Sequence, residues 1–372
     1  MIPLSVPEIC GNEWKYIKEC LDTNWVSSAG KYVDLFEERF SEYTGAKKTV
    51  VTVNGTAALH LALKVLGIGS GDEVIVPSMT FIASVNPIIY TGAEPVFVDV
   101  CRDTFVMDVR KIENLITEKT KAVLPVHLYG NLVDMEPLLQ LAKKYNLFII
   151  EDATEALGSE YKTSGGQWMK AGTIGDIGCF SFNGNKLITT GAGGMLATNS
   201  DKLGDTAKFL STQAKLVEEN KAFFHPEIGY NYRMPNLLAA MGVAQLEKIN
   251  EYIEIKKNNA AYYDGLLKNI SGITLSSGKE NIRNCHWLYS VVIDDSFGIT
   301  RDDLIKKLME KGVETRPFFK AVHKMKPYIN YRYGNMDITE ELTEKGINLP
   351  SSVSLKKEDI DYIYDSLVKV KK

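Results

Sequence analysis

The sequence predicts an α/β protein: a large domain with a mostly parallel, mixed sheet covered by helices, plus a smaller C-terminal α+β domain. Three observations carry this. Short β-branched runs alternate with helical patterns as far as about residue 200, which implies parallel strands covered on both faces. Glycines stand where helical patterns stop. After about residue 235 the alternation gives way to long helical periodicities.

In chain order, Val33, Phe36, Phe40 and Tyr43 mark one face of a helix that Gly45 closes. Residues 48–53 read as a strand and 56–66 as a helix stopped by Gly67. Strand-like runs follow at 73–76, 95–100, 122–126, 147–150, 178–182 and 194–198, with a helix over 134–145. Residues 235–270 read as one or two long helices bridging the domains. Beyond them come a strand at 287–293, a helix at 301–311 and a final amphipathic helix at 359–370. The expected division is a large domain over 1–249 and a small one over 250–372. Ligands of such sheets bind beyond the carboxyl ends of the strands.

Composition narrows the function. With 45% hydrophobic and 24% charged residues, a core of normal size is possible. A net charge of −4 marks neither a nucleic-acid nor a membrane surface. The five cysteines are scattered and no pair has C-x-x-C spacing, so no disulfide framework, zinc site or iron–sulfur site is encoded locally. His127, His225, His286 and His323 lack metal-ligand spacing, and no metal is expected. The opening residues lack a basic region followed by an apolar core, and the apolar stretch at 74–90 is interrupted by Pro77 and Pro87. A cytoplasmic protein is expected. There is no G-x-S-x-G elbow to support a hydrolase.

The chemistry concentrates at two strand mouths. The run Cys179-Phe-Ser-Phe-Asn-Gly-Asn-Lys186 delivers a lysine into a glycine-rich turn ending at Gly194. Buried lysines shift their pKa readily, which suits Schiff-base chemistry. Upstream, an apolar run ends in Glu151-Asp152. A lysine for the aldehyde and a carboxylate for the ring nitrogen are what pyridoxal 5′-phosphate requires. Asn54-Gly55-Thr56-Ala57 joins a strand to a helix and offers a phosphate seat, or an ordinary N-cap at Thr56. Ser181 could donate to that phosphate, and Phe81 could stack on a planar ring. Gly67-Ile-Gly-Ser-Gly71 follows a helix and precedes a strand, the wrong order for a nucleotide loop, and reads as a turn.

These stretches together resemble the DegT/DnrJ/EryC1/StrS family of sugar aminotransferases. The resemblance runs from Ile2-Pro-Leu-Ser to Leu349-Pro-Ser-Ser352. Its motifs are Gly55-Thr-Ala-Ala-Leu59, Pro77-Ser-Met-Thr-Phe81, Glu151-Asp-Ala-Thr-Glu155, Phe180-Ser-Phe-Asn-Gly-Asn-Lys186 and Gly229-Tyr-Asn-Tyr-Arg-Met234. It implies a type I aminotransferase fold, a homodimer with active sites at the interface, and pyridoxal phosphate as cofactor. By position, Lys186 would carry the aldehyde and Asp152 pair the ring nitrogen. Thr56, Ala57 and Ser181 would hold the phosphate, Phe81 would lie on the ring, and Asn231 would reach the partner's cofactor. Glu155 stands near the phenolic oxygen where the family often has Gln or His, so it is either protonated or turned away. Ala192 replaces a frequent Glu or Gly. Lys186 argues against the dehydratase relatives, which carry His there.

Within the family, Ser5–Trp14, Trp25–Ser28 and the Asp152 and Lys186 motifs resemble the legionaminic-acid branch. That implies amination of C4 of a UDP-2-acetamido-4-keto-2,4,6-trideoxyhexose, with L-glutamate as donor. Arg233, Arg316 and His323 are candidates for substrate contacts, or for surface ion pairs. The alternatives are a C3 aminotransferase, an enzyme for GDP- or dTDP-sugars, and a non-catalytic binding protein on the same fold.

Overall fold

Seven strands form the central sheet: β1 Lys48–Thr52, β2 Glu73–Pro77, β3 Glu94–Val98, β4 Thr120–Val123, β5 Phe148–Asp152, β6 Ile177–Ser181 and β7 Gly194–Thr198. The structure is a computed structural model and describes residues 1–216 and 223–371. The spatial order is β1-β7-β6-β5-β4-β2-β3. Neighbours from β3 to β6 pair in parallel, while β7 runs antiparallel to both β6 and β1. The exception has a local cause. No helix stands between β6 and β7, only the turn that carries Lys186, and a short connection permits only an antiparallel return.

The helices cover this sheet as their patterns require. Lys31–Thr44 buries Tyr32, Val33, Phe36 and Phe40 and ends at Gly45, whose φ of +78° is a left-handed cap. Gly55–Val65 buries every residue from Ala57 to Leu63, as an apolar helix wedged into the core must. The 235–270 segment is two helices, Asn236–Leu246 and Ile249–Leu267. β5 extends beyond the expected end at residue 150, because Asp152 still donates its N–H to the Pro125 carbonyl.

A second sheet is antiparallel throughout, in the order Ile273–Leu275, Tyr289–Ile293, Gly346–Leu349, Arg316–Pro317. Its strand begins at Tyr289, later than expected, because Trp287 and Leu288 turn into the first core. Tyr263, Leu267, Val291, Leu304, Ile360 and Ile363 fill the second core. Phe318, Val322, Tyr328 and Leu342 return to the first. A third, three-stranded sheet (Glu160–Lys162, Trp168–Lys170, Ile282–Arg283) has strands too short for periodicity to show. The N-terminus is laced to late parts of the chain: Ile2 bridges Val313, and the Leu4 carbonyl accepts the Ser351 N–H.

Lys372, the last residue of the expected small domain, lies outside the described residues. Among the described residues, no helix is long and apolar enough to cross a membrane. No group of three or more His, Cys, Asp or Glu could hold a metal there.

Candidate active site

The carboxyl ends of β5 and β6 and the start of helix Gly55–Val65 border a cavity of about 440 Å³, where parallel sheets place their ligands. Gly55, Thr56, Phe81, Asp152, Glu155, Ser181 and Lys186 line it from one side; Trp287, Arg316, Phe319 and Asn348 close it from the C-terminal part of the chain.

Asp152 is the last residue of β5 and is buried. Its Oδ2 accepts from Ser84 Oγ at 2.7 Å and its Oδ1 from the Thr154 N–H at 3.1 Å. Ser84 Oγ is 2.7 Å from Thr80 Oγ1, so a hydroxyl pair orients the carboxylate. The preceding Glu151 is also fully buried. It accepts from His127 Nε2 at 2.9 Å and from the N–H groups of Gly172, Ile174 and Gly175 at 2.8, 2.7 and 2.6 Å. His127 Nδ1 accepts the Val133 N–H, which assigns the ring proton to Nε2. Glu151 thereby pins the loop that feeds β6.

Lys186 sits in the turn between β6 and β7. Glycine is required there by close approach. A Cβ on Gly193 would meet Thr190 Oγ1 at 2.3 Å, and one on Gly194 the Asn54 backbone at 2.5 Å. The lysine side chain is only 13% exposed. Its amine lies 3.4 Å from Glu155 Oε1 and 3.9 Å from the centroid of the Trp287 ring. Glu155 is not turned away: its other oxygen accepts the N–H of Tyr129, whose φ is +56°. Burial raises the Glu155 pKa, and the Lys186 charge opposes that rise.

At the helix start, Asn54 Oδ1 accepts the Ala57 N–H at 2.8 Å, so Asn54 and not Thr56 is the N-cap. The Gly55 and Thr56 N–H groups belong to the first turn, which has no intrahelical acceptor for them. A Cβ on Gly55 would stand 2.9 Å from Ser181 Cβ. Phe81, 53% exposed, stands at the mouth with its ring 5.6 Å from that of Phe319.

Other expected residues lie elsewhere. Ala57 is buried one step inside the helix with its N–H already engaged. Asn231 and Arg233 are exposed away from this cavity, flanking Tyr232, which stacks on Tyr230 at 5.0 Å. Arg316 stands at the rim, 3.2 Å from Glu314 Oε1. His323 requires a correction. It is buried outside the cavity, with Nδ1 2.7 Å from Ser78 Oγ and Nε2 3.2 Å from Glu340 Oε1, so neither ring nitrogen is open to a substrate. Ser84, Tyr129, Trp287, Phe319 and Asn348 were not anticipated. Nothing local in their sequence marks them; only the tertiary fold brings Ser84, Trp287, Phe319 and Asn348 to the cavity, and Tyr129 against Trp287.

The residues fit pyridoxal phosphate: an amine for the aldehyde, an oriented carboxylate for the ring nitrogen, and a helix N-terminus with a serine hydroxyl for the phosphate. Together with the family and relatives below, the fold and site mark a pyridoxal-phosphate-dependent sugar aminotransferase. The chain belongs to the DegT/DnrJ/EryC1/StrS aminotransferase family, whose sequence profile matches residues 7–368. It is 45% identical over 367 residues to the GDP-perosamine synthase of Escherichia coli O157:H7, covering 98% of this chain and 97% of that protein. It is 42% identical over 370 residues to the GDP-perosamine synthase of Caulobacter vibrioides, covering 99% and 98%. The Helicobacter pylori aminotransferase involved in pseudoaminic acid biosynthesis has a similar structure, with a TM-score of 0.92 at 27% identity, covering 99% of this chain and 98% of that one. These names are not those of the legionaminic-acid branch that the motifs resembled.

Proposed function

We propose that this chain transfers an amino group from L-glutamate to C4 of a GDP-linked 4-keto-sugar. Near-full-length similarity to GDP-perosamine synthases supports the nucleotide and the position, in place of the UDP-sugar expected from the motifs. The observation that carries amino transfer is the convergence of Lys186 and Asp152 on one cavity.

Bound pyridoxal phosphate supplies an aldehyde that takes up the amino group and a protonated ring that delocalises the electron pair left on carbon. The chain's residues do the rest. Lys186 would hold the cofactor's aldehyde, and its Nζ, when free, would take the proton from the glutamate α-carbon. Asp152, oriented by Ser84 and Thr154, would keep the ring nitrogen protonated. The Gly55 and Thr56 N–H groups and the Ser181 hydroxyl would hold its phosphate. Phe81, at the mouth, would cover the ring. Arg316 at the rim suits a diphosphate, since its planar fork binds phosphate oxygens in pairs. In a homodimer, exposed Asn231 and Arg233 would serve the partner's site.

The test offers glutamate with GDP- and UDP-linked 4-keto-sugars side by side and reads the products by NMR. Amination of the GDP-sugar at C4, with parallel initial-velocity lines, is expected. Turnover of the UDP-sugar alone, or amination at C3, would overturn the assignment.

A further inference from the structure

We propose that Trp287 is a positioning residue for Lys186: its ring face holds the freed amine once that amine has taken up the substrate's proton, and its indole N–H fixes the backbone that carries it. The inference rests on the reading of Lys186 given above.

Two contacts from one side chain reach the same lysine. The Lys186 amine lies 3.9 Å from the Trp287 ring centroid, within the range in which an aromatic face attracts an ammonium group. Trp287 Nε1 donates to the Asn185 carbonyl at 2.7 Å, one peptide before Lys186. Ser5 Oγ also donates to that carbonyl, at 3.1 Å. The indole cannot swing away. It is buried and stacks on Tyr129, with centroids 6.3 Å apart and planes 26° from parallel. Tyr129 is itself held at both ends, its hydroxyl accepting the Phe319 N–H and its own N–H bonded to Glu155.

The geometry answers a need of the reaction. Lys186 must leave the cofactor in each half-reaction, remain within reach of the migrating proton, and return. A lysine stem is long and flexible, and a displacement of 1 Å at a reacting group is enough to lose most of its effect. Glu155 alone would draw the amine to one side by charge and hydrogen bond. The Trp287 ring face, 3.9 Å from the amine, gives it a second, non-directional contact that does not compete for its proton.

The test uses the holoenzyme with glutamate alone, so the identity of the sugar nucleotide does not enter. Stopped-flow absorbance gives the half-reaction rate constant and its saturation by glutamate; visible circular dichroism reports how the bound cofactor is held. Trp287→Leu removes both contacts and is expected to slow the half-reaction about 100-fold, with unchanged glutamate saturation and a weakened dichroic band. Trp287→Phe keeps a ring face without the N–H and should recover part of that loss, to about 10-fold below wild type. A wild-type rate and band in Trp287→Leu overturn the proposal, as does equal slowing in the two variants. If Trp287→Leu fails to fold, Trp287→Phe decides: a slowed rate with unchanged saturation supports the role, and a wild-type rate refutes it. Lys186→Ala runs alongside. If, before glutamate is added, it retains the wild-type visible band, the reading of Lys186 fails; if it loses that band while Trp287→Leu behaves as wild type, only the role of Trp287 falls.

Discussion

The Glu155 carboxylate stands 3.4 Å from the Lys186 amine, with its second oxygen held by the Tyr129 N–H. Burial raises its pKa above the usual 4.5, and Lys186 only partly offsets this. A raised carboxyl pKa means that the folded chain holds a proton the unfolded chain has released. The associated stability is complete below pH 4.5 and declines as pH rises through the folded value. Glu155→Gln removes that titration. Thermal unfolding of the cofactor-free protein should therefore move in favour of the variant as pH climbs above 4.5. Parallel curves would show that Glu155 does not titrate as its surroundings require.

Lys186→Ala should abolish the visible absorption of the bound cofactor and lower amino transfer by about 1,000-fold or more. Full activity with an intact band in the purified variant would remove the central assignment.

Asp152 depends on Ser84 for its orientation, at 2.7 Å. Asp152→Asn removes the charge itself and is expected to cost at least about 100-fold in turnover. Ser84→Ala loses one hydrogen bond to a charged group, worth about 1.5–3 kcal/mol, or roughly 10- to 100-fold. The two losses should not add in the double variant, because both act through one carboxylate. Additive losses would separate Ser84 from Asp152.

Gly55 has no room for a side chain. A methyl group there would meet Ser181 Cβ at 2.9 Å, Thr154 Cγ2 at 3.2 Å and the Phe180 carbonyl at 3.3 Å. Gly55→Ala should destabilise the protein by about 1–3 kcal/mol and weaken cofactor binding, since the helix start is displaced. Calorimetry with and without cofactor separates the two effects. An unchanged melting temperature and affinity would mean that Ser181 yields freely.

Lys256, in helix Ile249–Leu267, is buried and donates to the Ser351 carbonyl. Burial lowers its pKa from 10.5 to about 8. Between those values the unfolded chain holds a proton that the folded chain has released, so stability rises with pH across this window. The burial penalty is complete below about pH 8 and relieved above 10.5, with a ceiling of roughly 3 kcal/mol. Lys256→Met should erase that part of the slope. Its gain near neutrality is reduced by about 1 kcal/mol for the carbonyl left without a donor. Urea unfolding from pH 7 to 10 measures the difference, and identical slopes would refute it.

Some features of this chain are local, and the sequence determined them. Periodicity within one segment marks Lys31–Thr44 as a helix and Gly194–Thr198 as a strand, because a strand or helix face repeats over a few residues. The lysine in its glycine turn and the carboxylate ending an apolar run were equally readable, as each lies at the end of its own strand. Tertiary structure decided what those groups touch. Parallel pairing of β5 with β6 sets Asp152 beside Cys179, seven residues before Lys186 in the chain. The fold back from Leu288 brings Trp287 against the lysine, while His323, plausible as a substrate contact by residue type, is turned into the interior between Ser78 and Glu340. Residue type carries the chemistry, but sheet order and packing, which join segments far apart in the chain, select the residues that can use it.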